Sequence, residues 1–170
     1  IRSDKGIDPF ELEKQVAQTG SVVNFPGTEA IDNAGLIALD CNILIPAAME
    51  GQIHRDNADT NKASIVVDGA NGPTTLEADE ILKEKKVLVA PDILANAGGV
   101  TVSYLEWVQD LQRNFYSEEE VLEKTEKKMK KAFWDVVAVM EKHNVTMREA
   151  AYILAVGRVA ESLTAFGRAA

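Results

Sequence analysis

Cysteine, histidine and clustered positive charge are all scarce in this chain, and each scarcity removes a class of function. Cys41 is the sole cysteine, so no internal disulfide can form and a reducing compartment is the natural setting. It sits beside Ile43-Leu44-Ile45 and reads as a buried, inert thiol. The two histidines, His54 and His143, are far apart and lack metal-ligand spacing, so they read as surface or cap residues and no metal site is expected. With 18 Lys and Arg against 27 Asp and Glu, the net charge is −9, the wrong sign for neutralising phosphate backbones. The one basic cluster, Lys127-Lys128 and Lys130-Lys131, is interleaved with Glu123 and Glu126 and reads as a solvated helix face. No apolar run approaches the ~20 residues a bilayer span requires. Nucleic acid and membrane are therefore not expected partners. The start, Ile1-Arg2-Ser3-Asp4-Lys5-Gly6, carries neither an initiating Met nor a signal core nor an Arg-rich leader, and is expected to be an interior point of a longer protein. A G-x-G-x-x-G phosphate loop is missing as well.

What is present is a folding chain. Hydrophobic residues make up 46% of 170, enough for one domain with its own core. Short apolar runs at Val22-Val23-Asn24-Phe25, Ile43-Leu44-Ile45, Ile65-Val66-Val67 and Val87-Leu88-Val89 read as strands. The later three are about 20 residues apart, room for a helical crossover in each gap. Their unbroken apolarity suits parallel strands buried on both faces. The fold class expected is α/β, a partial doubly wound parallel sheet followed by C-terminal helices.

Helix starts are signed by Asp8-Pro9-Phe10-Glu11, with Pro at the first helical position, and by three capping-box patterns. These are Thr74-Thr75-Leu76-Glu77, Ser117-Glu118-Glu119-Glu120 and Thr146-Met147-Arg148-Glu149. After the second, Leu122, Thr125, Met129, Ala132, Phe133, Val136, Val137 and Met140 recur at three- and four-residue steps, the buried stripe of a long amphipathic helix. The last helix carries Ala150, Ala151, Ile153, Leu154, Val156 and Val159 almost all round, as a helix packed within a larger body would. We expect residues 1–115 to be the C-terminal part of a sheet domain whose front lies upstream, with 116–170 packing back on it.

Three segments follow the ends of successive strands: Pro46-Ala47-Ala48, the run from Asp68 to Thr75, and Asn96-Ala97-Gly98-Gly99. In open α/β sheets ligands sit at that edge. Small residues there admit a flat ring against the backbone, and a helix start offers N–H groups to anions. Asn71 and Asn96 can each donate and accept, as recognition of a carboxamide such as nicotinamide requires.

These segments, in this order, resemble the glutamate dehydrogenase family, within the superfamily of Glu, Leu, Phe and Val dehydrogenases. The resemblance runs from Gly6-Ile7-Asp8 through Phe25-Pro26-Gly27 to the last helices. It is carried most specifically by Ile43-Leu44-Ile45-Pro46-Ala47-Ala48, by Gly69-Ala70-Asn71-Gly72-Pro73-Thr74-Thr75, and by the stretch from Pro91-Asp92-Ile93 to Ser103-Tyr104. It implies the C-terminal part of a Rossmann-like nucleotide-binding domain. Ala47 and Ala48 would line the nicotinamide riboside, and Asn71 and Asn96 would contact the nicotinamide and its ribose. Val100 would pack on the substrate's aliphatic stem, and Ser103 would bond its side-chain carboxylate.

The implied reaction is reversible oxidative deamination of L-glutamate to 2-oxoglutarate and ammonium, through an imine, with NAD or NADP as hydride acceptor. A homo-oligomer, hexameric in the family, and a cytoplasmic or alternatively mitochondrial-matrix setting are also implied. The family's catalytic Lys and Asp belong to a substrate domain with no counterpart in these residues, so no catalytic residue is assigned and this chain alone is expected to be inactive. Two other readings stay open: a dehydrogenase of Leu, Val or Phe type, against which the hydroxyl of Ser103 argues, and a non-catalytic dinucleotide-sensing module. Departures from the family pattern are Asn42 for Asp, Leu76 for Pro, and Asn61 for an apolar residue; the last is expected to cost some packing.

Overall fold

The computed structural model describes residues 1–165 and Gly167. Its elements run α1 (Pro9–Thr19), α2 (Asn33–Ile37), β1 (Ile43–Leu44), β2 (Ile65–Val67), α3 (Leu76–Glu84), β3 (Leu88–Ala90), α4 (Asp92–Ala95), α5 (Gly98–Gln112), α6 (Glu118–His143) and α7 (Met147–Ala165). The strands form one parallel sheet in the order β1-β2-β3. Ile43 and Leu44 pair with Ile65 and Val66, and Ile65, Val66 and Val67 with Leu88, Val89 and Ala90.

Adjacent strand residues face opposite ways, and the two cores follow from that. Val66 and Val89 join Ile53, Ala58, Ala78 and Leu82 on the α3 side. Ala90, the neighbour of Val89, packs instead with Leu94, Val136, Met147, Ala150 and Ala151 on the α6–α7 side. Helices thus cover both faces of β3, the α/β layering expected. No helix among the described residues is long and apolar enough to cross a membrane.

Several expectations need correction. Val22–Phe25 is not a strand. Asn24 is left-handed at φ 63°, which turns the chain, and the Gln15 side chain donates to the carbonyls of Ser21 and Val23 at 3.3 and 3.1 Å in place of a neighbouring strand. The β1–β2 gap holds a single 3-10 turn, Ala58–Thr60, rather than a helical crossover. The sheet is not buried throughout either: Ile43 is 52% exposed and Ile45 58%, because β1 is an edge strand. Cys41 is half-buried.

The helix starts are largely as read. Asp8 accepts from the N–H of Phe10 and Glu11. Ser117 and Glu120 form a reciprocal capping box, and so do Thr146 and Glu149. The cap of α3 lies one residue later than expected: Thr75, not Thr74, accepts from Ala78 N–H. The α6 stripe turns inward at Val136, Val137, Met140, Ala132, Met129 and Thr125, while Leu122 and Phe133 stay exposed. In α7 only Met147, Ala150 and Ala151 are buried; Ile153, Val156 and Val159 are exposed, so the helix is not enclosed all round. Asn61 is buried but costs no polar group its partner, since its amide donates to Ala63 O and its oxygen accepts Ala63 N–H.

Candidate functional site

The loops leaving all three strands meet at the C-terminal edge of the sheet. Parallel pairing forces this, because strands that run the same way end on the same side. The loop after β1 is held to the loop after β2 by Gly51 N–H to Gly72 O at 2.8 Å, Ile53 N–H to Pro73 O at 2.9 Å and Thr75 N–H to Ile53 O at 2.9 Å. Gly69 and Ala70 N–H both reach Pro46 O. Contact is so close that a Cβ on Gly69 would meet the Cβ of Ala47 at 3.1 Å. A side chain at 69 would press on Ala47, and the φ of +56° at Gly72 is one that glycine adopts without strain.

Between these loops and the start of α5 lies a cleft of about 740 Å³ lined by Ala48, Met49, Glu50, Gly69, Ala70, Asn71, Asn96 and Val100. Four of the six residues singled out by sequence, Ala48, Asn71, Asn96 and Val100, therefore share one cavity. Ala47 stands just behind it, against Gly69. Ser103 lies one turn of α5 beyond Val100 and is exposed, outside the cleft lining.

The two asparagines act as a pair. Asn96 donates to Asn71 Oδ1 at 2.7 Å and to Ala70 O at 3.2 Å. With both protons of the Asn96 amide used, the acceptor it presents is Oδ1, and Asn71 presents its own amide nitrogen. One acceptor and one donor, fixed side by side, complement a primary carboxamide. Beside them α4 passes into α5 through Ala97. The N–H groups of Gly98, Gly99 and Val100 bond no carbonyl among the described residues, as befits a first helical turn. A Cβ on Gly98 or Gly99 would meet nothing within 4 Å, so internal packing does not demand these glycines. Ser103 does not bond back along its helix: Thr101 donates to Ala97 O at 2.8 Å, whereas the Ser103 hydroxyl has no partner among the described residues.

Sequence reasoning missed the charged support beneath the cleft. Arg148, in the first turn of α7, reaches Asp68 at 2.8 Å, Asp79 at 2.9 Å and Asp92 at 3.3 Å. Asp68 is fully buried and also accepts from Thr74 Oγ1 at 2.7 Å. Burial pushes the Asp68 carboxyl above its ordinary range, and the bonds from Thr74 and Arg148 offset only part of that. Burial raises Asp92 too, but the N–H groups of Gly72 and Ile93 together with Arg148 outweigh it and hold that carboxyl low. Burial likewise disfavours the Arg148 charge, and Asp79 and Asp68 more than restore it. The partners lie 56 to 80 residues apart, so no local spacing could have disclosed the cluster. In the sequence Arg148 shows only as the interior of a capping box.

The family model for glutamate/leucine/phenylalanine/valine dehydrogenases matches residues 1–167. A glutamate dehydrogenase of Thermotoga maritima is 58% identical over 160 residues, covering 94% of this chain and 38% of that protein. An NAD-specific glutamate dehydrogenase of Clostridioides difficile is 46% identical over 163 residues, covering 96% and 39%. The chain thus spans well under half the length of these relatives. The hetero-hexameric glutamate dehydrogenase of Thermus thermophilus, in a Leu-bound form, superposes with a TM-score of 0.87 at 34% identity, over 95% of this chain and 38% of that one. A match to the family model over nearly the whole chain, together with these likenesses, establishes that the chain belongs to the glutamate/leucine/phenylalanine/valine dehydrogenase family.

Proposed function

We propose that these residues form the nicotinamide side of the cofactor cleft, and one wall of the substrate pocket, in a glutamate dehydrogenase. The observation that carries the reading is the Asn71–Asn96 pair, which presents one donor and one acceptor at the rim of a cleft floored by Ala48, Gly69 and Ala70. A nicotinamide fits these residues: the carboxamide would pair with Asn71 and Asn96, and the ribose would lie along Ala47 and Ala48. When bound, the ring accepts a hydride from the substrate Cα. The protein's contribution here is positioning, which holds the reacting partners in one geometry rather than supplying a proton.

Val100 projects into the same cleft and would pack on the substrate's methylenes. Ser103, one turn on, offers a hydroxyl with no intramolecular partner to the distal carboxylate. A Leu- or Val-type substrate would leave that hydroxyl unpaired, which favours glutamate. The NAD-specific relative favours NAD over NADP, and the hexameric one favours a hexamer; bacterial relatives favour a cytoplasmic setting. No residue of this chain is assigned as acid or base, and the 170 residues alone are expected to show no turnover.

The test is oxidation of NADH and of NADPH by the full-length polypeptide carrying this segment, with 2-oxoglutarate and ammonium. Ammonium-dependent turnover supports the reading and gives the cofactor preference. Dinucleotide binding without turnover on any 2-oxo acid would favour the sensing module instead.

A further inference from the structure

The buried arginine cluster lies outside the cleft, yet its hydrogen bonds end on the two segments that build the cleft. Arg148 Nη2 meets Asp68 Oδ2 at 2.8 Å, and Asp68 sits three residues ahead of Asn71, where β2 gives way to its loop. Arg148 Nη1 meets Asp92 Oδ1 at 3.3 Å, and Asp92 sits four residues ahead of Asn96, at the start of α4. The other oxygen of Asp92 accepts the N–H of Gly72 at 2.9 Å, so the α4 segment also grips the residue that follows Asn71. Arg148 Nε is fixed in turn by Asp79 of α3 at 2.9 Å. One guanidinium from α7 therefore ties α3, the β2 loop and the α4 start together, 13% exposed against a carboxylate that is fully buried.

From this geometry we propose that Arg148 is a positioning residue for the cofactor's nicotinamide, acting through Asp68 and Asp92 to set the separation of Asn71 and Asn96. The inference rests on the proposed dehydrogenase reading only for the identity of the ligand. A planar fork with fixed donors suits the task, because three carboxylates in three directions must be met at once. Lysine can supply the charge but not the fork. Without Arg148 the buried Asp68 and the half-buried Asp92 lose the cation between them, and the two loops are held together only by the Asp92–Gly72 bond and the bonds of Asn96 to Ala70 and Asn71. A site loosened by about 1 Å loses on the order of a hundred-fold in rate.

The experiment uses the full-length polypeptide with R148K, R148M and D92N. D92N leaves the Asp68 and Asp79 pairs in place and so guards against simple unfolding of R148M. Two readouts are taken: steady-state KM for NADH and 2-oxoglutarate, and amide hydrogen exchange across 69–73 and 95–99. The account expects folded R148K and D92N with KM for NADH raised about ten-fold or more and KM for 2-oxoglutarate nearly unchanged. It also expects faster exchange in both segments together. A merely structural arginine would lower activity in proportion to folded protein, leaving KM for NADH and the exchange pattern alone, and that result would overturn the proposal. Faster exchange in both segments of a protein that shows no turnover even as wild type would support the coupling while removing the dehydrogenase reading.

Discussion

Asn96 and Asn71 are joined side chain to side chain, the amide of the first donating to the carboxamide oxygen of the second at 2.7 Å. Residues 25 positions apart thereby become one hydrogen-bonded unit, which in the proposed reading offers the nicotinamide one donor and one acceptor. Replacement of either by Ala is expected to lower dinucleotide affinity about ten-fold. Because they act together, the double variant should be scarcely worse than either single one, with a coupling of roughly 1 kcal/mol or more. Fluorescence titration of NADH against the four proteins measures it, and strictly additive losses would refute the unit.

The cap of α3 offers a test of local assignment. Thr74 lies buried and donates to Asp68, while its neighbour Thr75 caps the helix. Thr75→Ala should cost about 1 kcal/mol, the ordinary loss of a cap. Thr74→Val should cost more, up to about 3 kcal/mol, since it strips a buried carboxylate of a donor. Chemical denaturation measures both losses, and a Thr75→Ala variant as stable as the wild type would remove the cap from Thr75.

Acid should weaken the fold in a definite direction. Backbone N–H and the hydroxyl of Thr146 hold the Glu149 carboxyl below its ordinary value, and Asp92 is held low as described. A carboxyl lowered on folding stabilises above its unfolded pKa and loses that contribution as pH falls through its folded one. Asp68, raised by burial, works the opposite way: its cost grows as pH rises from its unfolded toward its folded pKa. The lowered groups, joined by Glu77, Glu119, Glu126 and Asp135, outnumber it. Melting temperature should therefore fall below about pH 4, where carboxylates titrate, and less steeply in D92N. A profile flat to pH 3, or a steeper one in D92N, would contradict this.

The parts of the molecule legible in its sequence are those set by local signals. The three parallel strands announce themselves through short apolar runs, and Asp8, Ser117 and Thr146 through capping chemistry that spans three residues. The placing of Asn71 and Asn96 at one cleft was legible because glycine-rich turns after strands mark the ligand edge of such a sheet, whereas Val100 came only with the family resemblance. Val22–Phe25 misled because apolarity does not reveal that Gln15 takes its carbonyls or that Asn24 turns left-handed. Thr74 misled because two adjacent threonines fit one cap and only burial decides between them. The Arg148 cluster was not legible at all: its partners are distant in the chain, and their meeting is a property of the fold rather than of any motif.

In the proposed reading Ser103 selects the substrate, and one ratio tests it. In the full-length polypeptide, kcat/KM for 2-oxoglutarate should be compared with that for 2-oxohexanoate, an apolar 2-oxo acid, in wild type and in Ser103→Val. The account predicts that the wild type prefers 2-oxoglutarate and that the variant loses on the order of a hundred-fold of that preference. A preference left intact by Ser103→Val would mean that this hydroxyl does not meet the substrate's carboxylate, and the assignment of glutamate from this wall of the pocket would fall.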